Sequence, residues 1–396
     1  MQGHRIDEKF HERILRGQRN WWFVGPGGIA RMTDRHLTAD GTPTPEAERH
    51  LRSSGLYDTK PPSFYSLTVL TSTDCNLGCG YCFQNTGQDL SGKNRPPRIS
   101  HTRLTSGTIT TTLEFAHRQM SAVGLEKLHI LLFGGEPLLN PRGCLELLAR
   151  AADYGLKSAG MVSNATLLTP ELARQLADLG LGYVQVTFDG DRDRHDLIRV
   201  RRSGGGTFDA IIANIVRASQ ASPLRWSLRV NVSDRNYGTV DGLLDQLADQ
   251  LEPGRCRIGL AWVGDVGIGY ANGLRRTARL TEDFLRWRVR AREMGFQVSK
   301  PGARFPCLTC SFDNGRYGAT VNADGTLASC WETAGKPGWE VGTAASGYLP
   351  AEQVRDRWIS CLDNGSNADD DATPAAFDDA VDAAYLDYLD ESGQLA

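Results

Sequence analysis

The chain has 396 residues, of which 40% are hydrophobic and 23% charged, and its formal net charge is −3. This composition is typical of a globular protein and excludes collagenous, largely disordered and membrane-spanning classes. The first residues contain no apolar signal-peptide core, so we expect a cytoplasmic protein that does not contact a membrane.

Charge is distributed unevenly along the chain. From Cys361 onward there are ten Asp or Glu residues and no Lys or Arg, which leaves 44 basic against 37 acidic residues in the rest. The basic excess is too diffuse to indicate nucleic-acid binding. We expect the acidic end to be a solvated segment with a short helix near 380–389.

From Ser66 the sequence alternates short apolar runs with helical stretches, which is typical of parallel β/α units. The predicted strands are 66–72, 127–133, 158–163, 183–189, 226–232 and 256–262. The predicted helices are 103–120, 143–154, 170–179, 208–219 and 237–251. One helix start is well marked, because Thr169 can cap it and Pro170 suits its first position. Six such units predict an α/β fold with a partial (β/α)6 barrel of the TIM type.

The remaining segments divide the chain into four parts. They are an N-terminal module (1–64), the barrel (65–296), a segment rich in Gly and Cys (297–362) and the acidic tail (363–396). The third part has too few apolar residues for a core of its own, so we expect a metal to order it.

Three cysteines follow the first predicted strand: Cys75, Cys79 and Cys82, spaced C-x3-C-x2-C. Three thiolates on one loop can bind an iron-sulfur cube and leave its fourth iron without a protein ligand. Zinc is the alternative metal, but it usually takes a fourth Cys or His, and the nearest downstream candidate is His101.

The loop C-x3-C-x-Tyr-C resembles that of the radical S-adenosylmethionine (SAM) superfamily. Four further segments are similar to motifs of this family. Residues 133–137 (FGGEP) resemble GGEP, and residues 163–168 (SNATLL) resemble TNGTLL. Residues 186–190 (VTFDG) resemble SLDG, and His195-Asp196 and Arg199 lie where relatives often carry HD and R after that motif. The sequence departs from these motifs at Ser163, Ala165 and Thr187-Phe188.

The resemblance implies a 4Fe-4S cluster on Cys75, Cys79 and Cys82, with SAM bound at the unique iron. It further implies reductive cleavage of SAM to a 5'-deoxyadenosyl radical, with electrons from a donor such as flavodoxin or ferredoxin. The implied cofactor-binding residues are Tyr81, Gly134, Gly135, Glu136, Pro137, Ser163, Asn164, Asp189 and Arg199. Structural roles stay open for several: an ion pair at a strand end for Glu136, packing for Tyr81, a helix start for His195, and a mutual pair for Asp189 and Arg199.

A second cysteine group comprises Cys307, Cys310, Cys330 and Cys361. Asp324-Gly325, between the second and third of these, predicts a hairpin turn. The C-x14-G-x4-C spacing resembles the auxiliary-cluster extensions named SPASM and twitch, which implies a second 4Fe-4S cluster on some or all of the four. Structural zinc is the alternative. Cys144 and Cys256 are expected to be buried thiols.

Within the family such extensions accompany oxidation of peptides. The resemblance therefore implies an oxidoreductase that modifies, and most simply crosslinks, a ribosomal precursor peptide. The N-terminal module is similar to winged-helix precursor-recognition modules, which would bind a leader peptide as an added strand; capping of the barrel is the alternative. The other functions considered are a twitch-type dehydrogenase of a small molecule, a maturase of a folded protein, and a zinc-held binding protein.

Overall fold

The computed structural model describes residues 12–87, 96–265, 268–270, 272–304, 307–309, 314–358 and 371–395. Its N-terminal module is an antiparallel sheet of three strands, β1 (Arg13–Arg16), β2 (Trp21–Gly25) and β3 (Gly28–Met32), followed by helix α1 (Pro45–Ser53). Thr44 caps α1 by accepting a hydrogen bond from the Ala47 amide. The sequence analysis assigned no strands to this module.

The central unit alternates strands and helices as predicted. Its parallel strands are β4 (Tyr65–Ser72), β5 (Leu128–Gly134), β6 (Leu156–Val162), β7 (Leu181–Phe188), β8 (Arg225–Val232) and β9 (Cys256–Trp262). Its helices are α2 (Ser106–Ala122), α3 (Pro141–Ala151), α4 (Pro170–Asp178), α5 (Arg192–Ile198), α6 (Phe208–Ala221) and α7 (Val240–Gln250). The α/β partial barrel is thus confirmed, as an open sheet, and the prediction missed the short helix α5 and a later helix at Ala278–Glu293.

The rest of the described chain extends both edges of this sheet. Its elements are α8 (Ala278–Glu293), β10 (Gln297–Val298), β11 (Gly318–Val321), β12 (Thr326–Ala328), β13 (Glu340–Thr343), β14 (Gly347–Tyr348), α9 (Ala351–Val354) and α10 (Pro374–Glu391). The strand order is β10-β9-β8-β7-β6-β5-β4-β11-β12-β13-β14. Within the described parts of the chain, no helix is long and apolar enough to cross a membrane.

The two faces of the parallel sheet differ in character. On β8, Trp226, Leu228 and Val230 are buried in one core with apolar side chains of α6 and α7. Side chains alternate across a strand, so the intervening residues point away from the helices. We call the side without helices the lumen face.

The cysteine-rich segment joins the barrel sheet directly. β11 runs parallel to β4, with Gly318 opposite Ser66 and Val321 opposite Val69. β11 and β12 form the predicted hairpin, and Gly325 adopts the left-handed φ of +89° that its turn requires. Val321 and Leu327 belong to the main core. The described part of this segment therefore shares the barrel's core and does not depend on a metal alone for order.

The described part of the acidic tail, residues 371–395, contains the predicted short helix within α10 but is not the solvated segment that the charge pattern predicted. α10 packs on the N-terminal sheet, where Leu386 shares a small core with Leu15, Trp22 and Val24. Its acidic residues meet arginines that are distant in sequence: Arg13 donates to Asp379 (2.8 Å) and to Asp382 (2.7 Å). The prediction was wrong because a run of like charges looks solvated until its partners elsewhere in the chain are known.

Asp387 is the buried anchor of this contact. It accepts hydrogen bonds from Trp22 Nε1 (2.9 Å), Asn20 Nδ2 (3.4 Å) and the Arg19 amide (3.2 Å). Asp387→Ala leaves these donors short of an acceptor, so we expect a loss of about 2–3 kcal/mol in unfolding free energy, measured by urea denaturation.

The matched control for Asp387 is Asp390→Ala, on the same helix. Asp390 pairs with the exposed Arg31 at 3.0 Å, and an exposed pair contributes less than about 1 kcal/mol. Equal losses for the two variants would show that α10 is not anchored through Asp387.

Candidate functional site

The loop after β4 brings the first cysteine group together. Cys75 and Cys79 are buried and Cys82 is half-buried, and the three lie in one cluster with Leu77 and Tyr81. The amide of Gly78 donates to the carbonyl of Val200 at 2.9 Å, which ties the loop to the chain after α5. The cysteines therefore occupy the C-terminal end of the parallel strands, where the functional loops of such sheets lie.

Burial keeps the thiols of Cys75 and Cys79 protonated in the absence of a bound cation. It raises the pKa of Cys75 to about 12 and that of Cys79 to about 11. Donors nevertheless point at the sulfurs: the Leu77 amide (3.4 Å) and Asn164 Nδ2 (3.8 Å) at Cys75, and Arg98 Nη1 (3.7 Å) at Cys82. Such donors stabilise anionic sulfur, the form that ligates iron.

These residues fit an iron-sulfur cluster by the chemistry of their donor set. Among the described residues, no three Cys, His, Asp or Glu side chains already stand in a metal-binding arrangement, so the thiols must reorient to share one centre. His101, the candidate fourth ligand for zinc, instead lies with Nδ1 3.2 Å from the carboxylate of Asp74. Three thiols without a fourth Cys or His suit a cluster better than structural zinc.

Gly134 and Gly135 allow the end of β5 to lie directly against the start of the cysteine loop. The Gly135 amide donates to the Ser72 carbonyl (2.9 Å), and the Glu136 amide donates to the Asp74 carbonyl (2.8 Å). A Cβ at Gly134 would lie 2.1 Å from the Ser72 oxygen, and one at Gly135 would lie 2.3 Å from the Asp74 oxygen. No other residue type fits at either position without moving backbone.

Glu136 is fully buried and joins the ends of two strands. Its carboxylate accepts from Ser163 Oγ (2.8 Å), the Asn164 amide (2.7 Å) and the Leu138 amide (3.0 Å). Burial raises its pKa, and these hydrogen bonds act in the opposite direction. The sequence analysis left open an ion pair at the strand end for Glu136. Among the described residues Glu136 has no ion-pair partner, and its carboxylate accepts these hydrogen bonds instead.

The segment after β6 closes over the cysteine loop. Asn164 Nδ2 donates to Asn76 Oδ1 at 2.8 Å, and Asn76 Nδ2 donates to Thr166 Oγ1 at 2.9 Å. Ala165 has a left-handed φ of 57°, at the position where the resembling motif has glycine. The local chain path therefore follows the motif even where its residue differs.

Tyr81 is the centre of a buried polar network. Its hydroxyl donates to Asp189 Oδ2 (2.7 Å) and accepts from Arg199 Nη1 (2.7 Å) and Asn231 Nδ2 (3.1 Å). Arg199 and Asp189 also pair directly at 3.4 Å. Burial lowers the pKa of Arg199, but its interactions with Tyr81, Cys79 and Asp189 outweigh this effect and raise that pKa well above its usual range.

His195 positions this network in its neutral form. Thr207 Oγ1 donates to the Arg199 carbonyl (2.9 Å), so it accepts a hydrogen from His195 Nε2 (3.1 Å). The other nitrogen, Nδ1, accepts from the Asp189 amide at 3.4 Å. Burial, and then the charge of Arg199, hold the pKa of His195 well below its usual range.

A cavity of about 260 Å³ opens beside Tyr81. Its lining comes from the cysteine loop, α5 and the segments after β8 and β9: Gly80, Tyr81, Arg194, Leu197, Ile198, Asp234, Arg235 and Tyr270. The rings of Tyr81 and Tyr270 meet edge to face with centroids 5.8 Å apart. The cavity therefore presents aromatic, cationic and anionic groups beside the cysteine loop.

Part of the second cysteine group lies close to the first. Cys330 is buried after β12 and Cys307 is exposed, whereas Cys310 and Cys361 lie outside the described residues. Phe133 stacks on Phe83, next to Cys82, with centroids 6.0 Å apart, and on Trp331, next to Cys330, at 5.2 Å. Lys336 interacts electrostatically with both Cys82 and Cys330.

The structure brings together the predicted first thiols, Glu136, Asp189 and Arg199, and adds two side chains that the sequence analysis did not name. Asn231 could have been suspected, because it is an amide next to the C-terminal end of a predicted parallel strand, where functional side chains gather. Arg98 gave no signal, since nothing in the sequence places it against Cys82. The stack of Phe83, Phe133 and Trp331 likewise joins distant segments.

Fold and site together define a class of protein: a partial α/β barrel with three cysteines on the loop after its first strand. Residues 69–247 match the profile of the radical SAM superfamily. This segment is therefore a radical SAM domain, as the motifs predicted.

Two curated proteins and one solved structure are similar to parts of this chain. It is 28% identical over 207 residues to Fe-coproporphyrin III synthase of Methanosarcina barkeri, covering 52% of this chain and 46% of that protein. It is 33% identical over 116 residues to PqqA peptide cyclase of Bradyrhizobium diazoefficiens, covering 29% and 26%. The chain therefore spans less than half the length of these relatives.

The solved structure is native anSMEcpe with bound AdoMet and Kp18Cys peptide. The TM-score is 0.56 at 14% identity, and the alignment covers 83% of this chain and 97% of that one. This likeness shows the fold.

Proposed function

We propose that this chain is a radical SAM oxidoreductase that modifies a ribosomally made precursor peptide. The observation that carries the proposal is the group of three thiols, with donors aimed at two of their sulfurs, beside the Tyr81 network and its cavity. A 4Fe-4S cluster bound there would supply the electron that cleaves SAM to a 5'-deoxyadenosyl radical.

Three groups of residues would hold the cofactors. Cys75, Cys79 and Cys82 would ligate the cluster, with Arg98 and Asn164 donating to the sulfurs. The cavity beside Gly80 and Tyr81 would receive the adenosyl group of SAM. The other predicted residues would support the residues that line the cofactor pocket. They are Gly134, Gly135, Glu136, Pro137, Ser163, Asn164, Asp189 and Arg199.

Glu136 and Asp189 act through their neighbours in this proposal. Both carboxylates are almost wholly buried, and their oxygens already accept protein hydrogen bonds. Glu136 therefore fixes Ser163 and Asn164, and Asp189 fixes Tyr81, in place of direct contact with SAM. Both are positioning residues.

A peptide substrate is supported by the comparisons with known proteins. The likeness to PqqA peptide cyclase lies within the radical SAM superfamily, and the fold matches a structure that holds a peptide. The N-terminal module would recognise the leader part of the precursor. We further propose a cytoplasmic location and reduction by flavodoxin or ferredoxin.

A small molecule is the second candidate substrate. The likeness to Fe-coproporphyrin III synthase, which covers more of this chain than the likeness to the peptide cyclase, favours it.

The test uses the anaerobically reconstituted chain, SAM, dithionite and candidate precursor peptides chosen from short open reading frames near the gene. We expect 5'-deoxyadenosine and a peptide lighter by two hydrogens, or with another defined mass change, and neither product with the Cys75/Cys79/Cys82→Ala variant. Cleavage of SAM with an unchanged peptide would contradict the peptide substrate and favour the small molecule.

The second cysteine group is proposed to hold an auxiliary 4Fe-4S cluster, with Cys307, Cys310, Cys330 and Cys361 as candidate ligands. Cys310→Ala with Cys330→Ala should lower the iron content from about eight to about four per chain and leave SAM cleavage measurable. Cys256→Ala, which removes a buried thiol elsewhere, is the control and should keep both clusters. Stoichiometric zinc in the wild type, lost in the double variant, would contradict the auxiliary cluster.

A further inference from the structure

The lumen face of the barrel sheet has an apolar wall and a polar wall. Leu70, Leu131, Phe133 and Val162, from β4, β5 and β6, form an apolar cluster separate from the core under the helices. The wall made by β7, β8 and β9 carries Thr187, Arg229 and Gly259 at one level, because Thr187 and Gly259 lie opposite Arg229 on the neighbouring strands. The lumen is therefore amphipathic.

Arg229 is a cation of this polar wall that the cofactor site does not use. It alternates with the buried Leu228 and Val230, so its side chain points into the lumen, where it is exposed. Protein surrounds it on most sides, and this burial lowers its pKa, while Tyr81 and Asp189 act in the opposite direction. An exposed arginine on the lumen face of the sheet is placed to meet a ligand.

Within the described part of the chain, the Nε atom of the Arg229 guanidinium is hydrogen-bonded and its two Nη atoms are not. Nε donates to Asn231 Oδ1 at 2.8 Å, and Asn231 in turn donates to the Tyr81 hydroxyl at 3.1 Å. In the described part of the chain, no carboxylate forms an ion pair with Arg229, and neither Nη atom has a hydrogen-bond acceptor. The hydrogen bond at Nε fixes the orientation of the guanidinium. Its two Nη groups are therefore placed to donate side by side to a planar carboxylate.

Gly259 leaves room beside the guanidinium. It is exposed on β9, and a Cβ built there would meet no atom within 4 Å. A larger residue on the adjacent strand would reduce this space. A cation, an open neighbouring position and an apolar wall thus share the lumen face of one sheet.

We propose that Arg229, with the space beside Gly259, is a subsite for a carboxylate group of the peptide substrate. The proposal rests on the proposed function and names the residue that selects an acidic side chain in the peptide. Arg229 lies two residues before Asn231, about 7 Å farther along β8 from the strand end that carries the cofactor site. The subsite would anchor the peptide in the lumen through the network that also holds Tyr81.

The probes are two peptides, Ac-Ala-Glu-Ala-NH2 and its neutral twin Ac-Ala-Gln-Ala-NH2. Their binding to the reconstituted, SAM-saturated chain is measured by ligand-observed NMR. We expect the wild type to bind the glutamate peptide at least about tenfold more tightly. Arg229→Gln should remove this preference, and Arg229→Lys, which keeps the charge without the fork, should retain part of it.

The control is Arg225→Gln, which removes an exposed arginine of the same strand and face about 13 Å away and should keep the full preference. A wild type without preference, or a preference that survives Arg229→Gln, would overturn the subsite. Weakened binding of SAM to Arg229→Gln with an unchanged peptide preference would assign Arg229 to the cofactor and also overturn it. Cleavage of SAM by the wild type, measured separately, tests the proposed function independently of these outcomes.

Discussion

Replacing Cys75, Cys79 and Cys82 together with alanine is expected to remove about four irons per chain and to reduce SAM cleavage to the background rate. The three thiols are the only cysteines among the described residues that cluster with Tyr81, so the remaining thiols of that part of the chain cannot substitute for them. Iron and sulfide content after anaerobic reconstitution, with product analysis, measures both effects.

The control for the triple variant is again Cys256→Ala, which should keep about eight irons and full cleavage. Cleavage that survives the triple substitution would show that the radical site lies elsewhere. Loss of all iron together with loss of folding, seen as a collapsed circular-dichroism spectrum, would assign the thiols a structural role instead.

Arg199→Met is expected to lower the unfolding free energy by about 3–5 kcal/mol, because it leaves Asp189 charged and buried without its cation. The Arg199 and Asp189 side chains are 11% and 3% exposed. Denaturant unfolding measures the loss. Adding Asp189→Asn to Arg199→Met should recover part of it, since the uncompensated charge is then removed.

A surface arginine provides the comparison for Arg199. Arg174 pairs with Glu171 (2.7 Å) and Asp178 (3.1 Å) on α4, all well exposed, so Arg174→Met should cost less than about 1 kcal/mol. If Arg199→Met were no more destabilising than Arg174→Met, the buried Tyr81 network would not contribute to stability as we expect.

The barrel was predictable because its pattern is local. Each of its six strands begins and ends within two residues of the prediction, since short runs of Val, Ile, Leu and Phe between polar helices identify buried parallel strands. The start of α4 was also predicted, because Thr169 caps it through the Leu172 amide. Parallel strands then bring the motif-bearing loops to one end of the sheet without further information.

The contacts between distant segments were not predictable. The acidic residues of α10 are neutralised by Arg13, Arg288 and Arg304, which are scattered through the chain. The short strands β1 to β3 alternate too little to be recognised from their pattern. Likewise, Phe133 joins both cysteine groups only through stacking across the fold.

In the function that we propose, this chain cleaves SAM reductively at the site held by Cys75, Cys79 and Cys82. The most direct test is to incubate the iron-loaded wild type with SAM, with and without dithionite, and to quantify 5'-deoxyadenosine by mass spectrometry. We expect 5'-deoxyadenosine in the reduced sample alone. If a reduced sample with full iron content and bound SAM yields none, the chain does not cleave SAM as we propose.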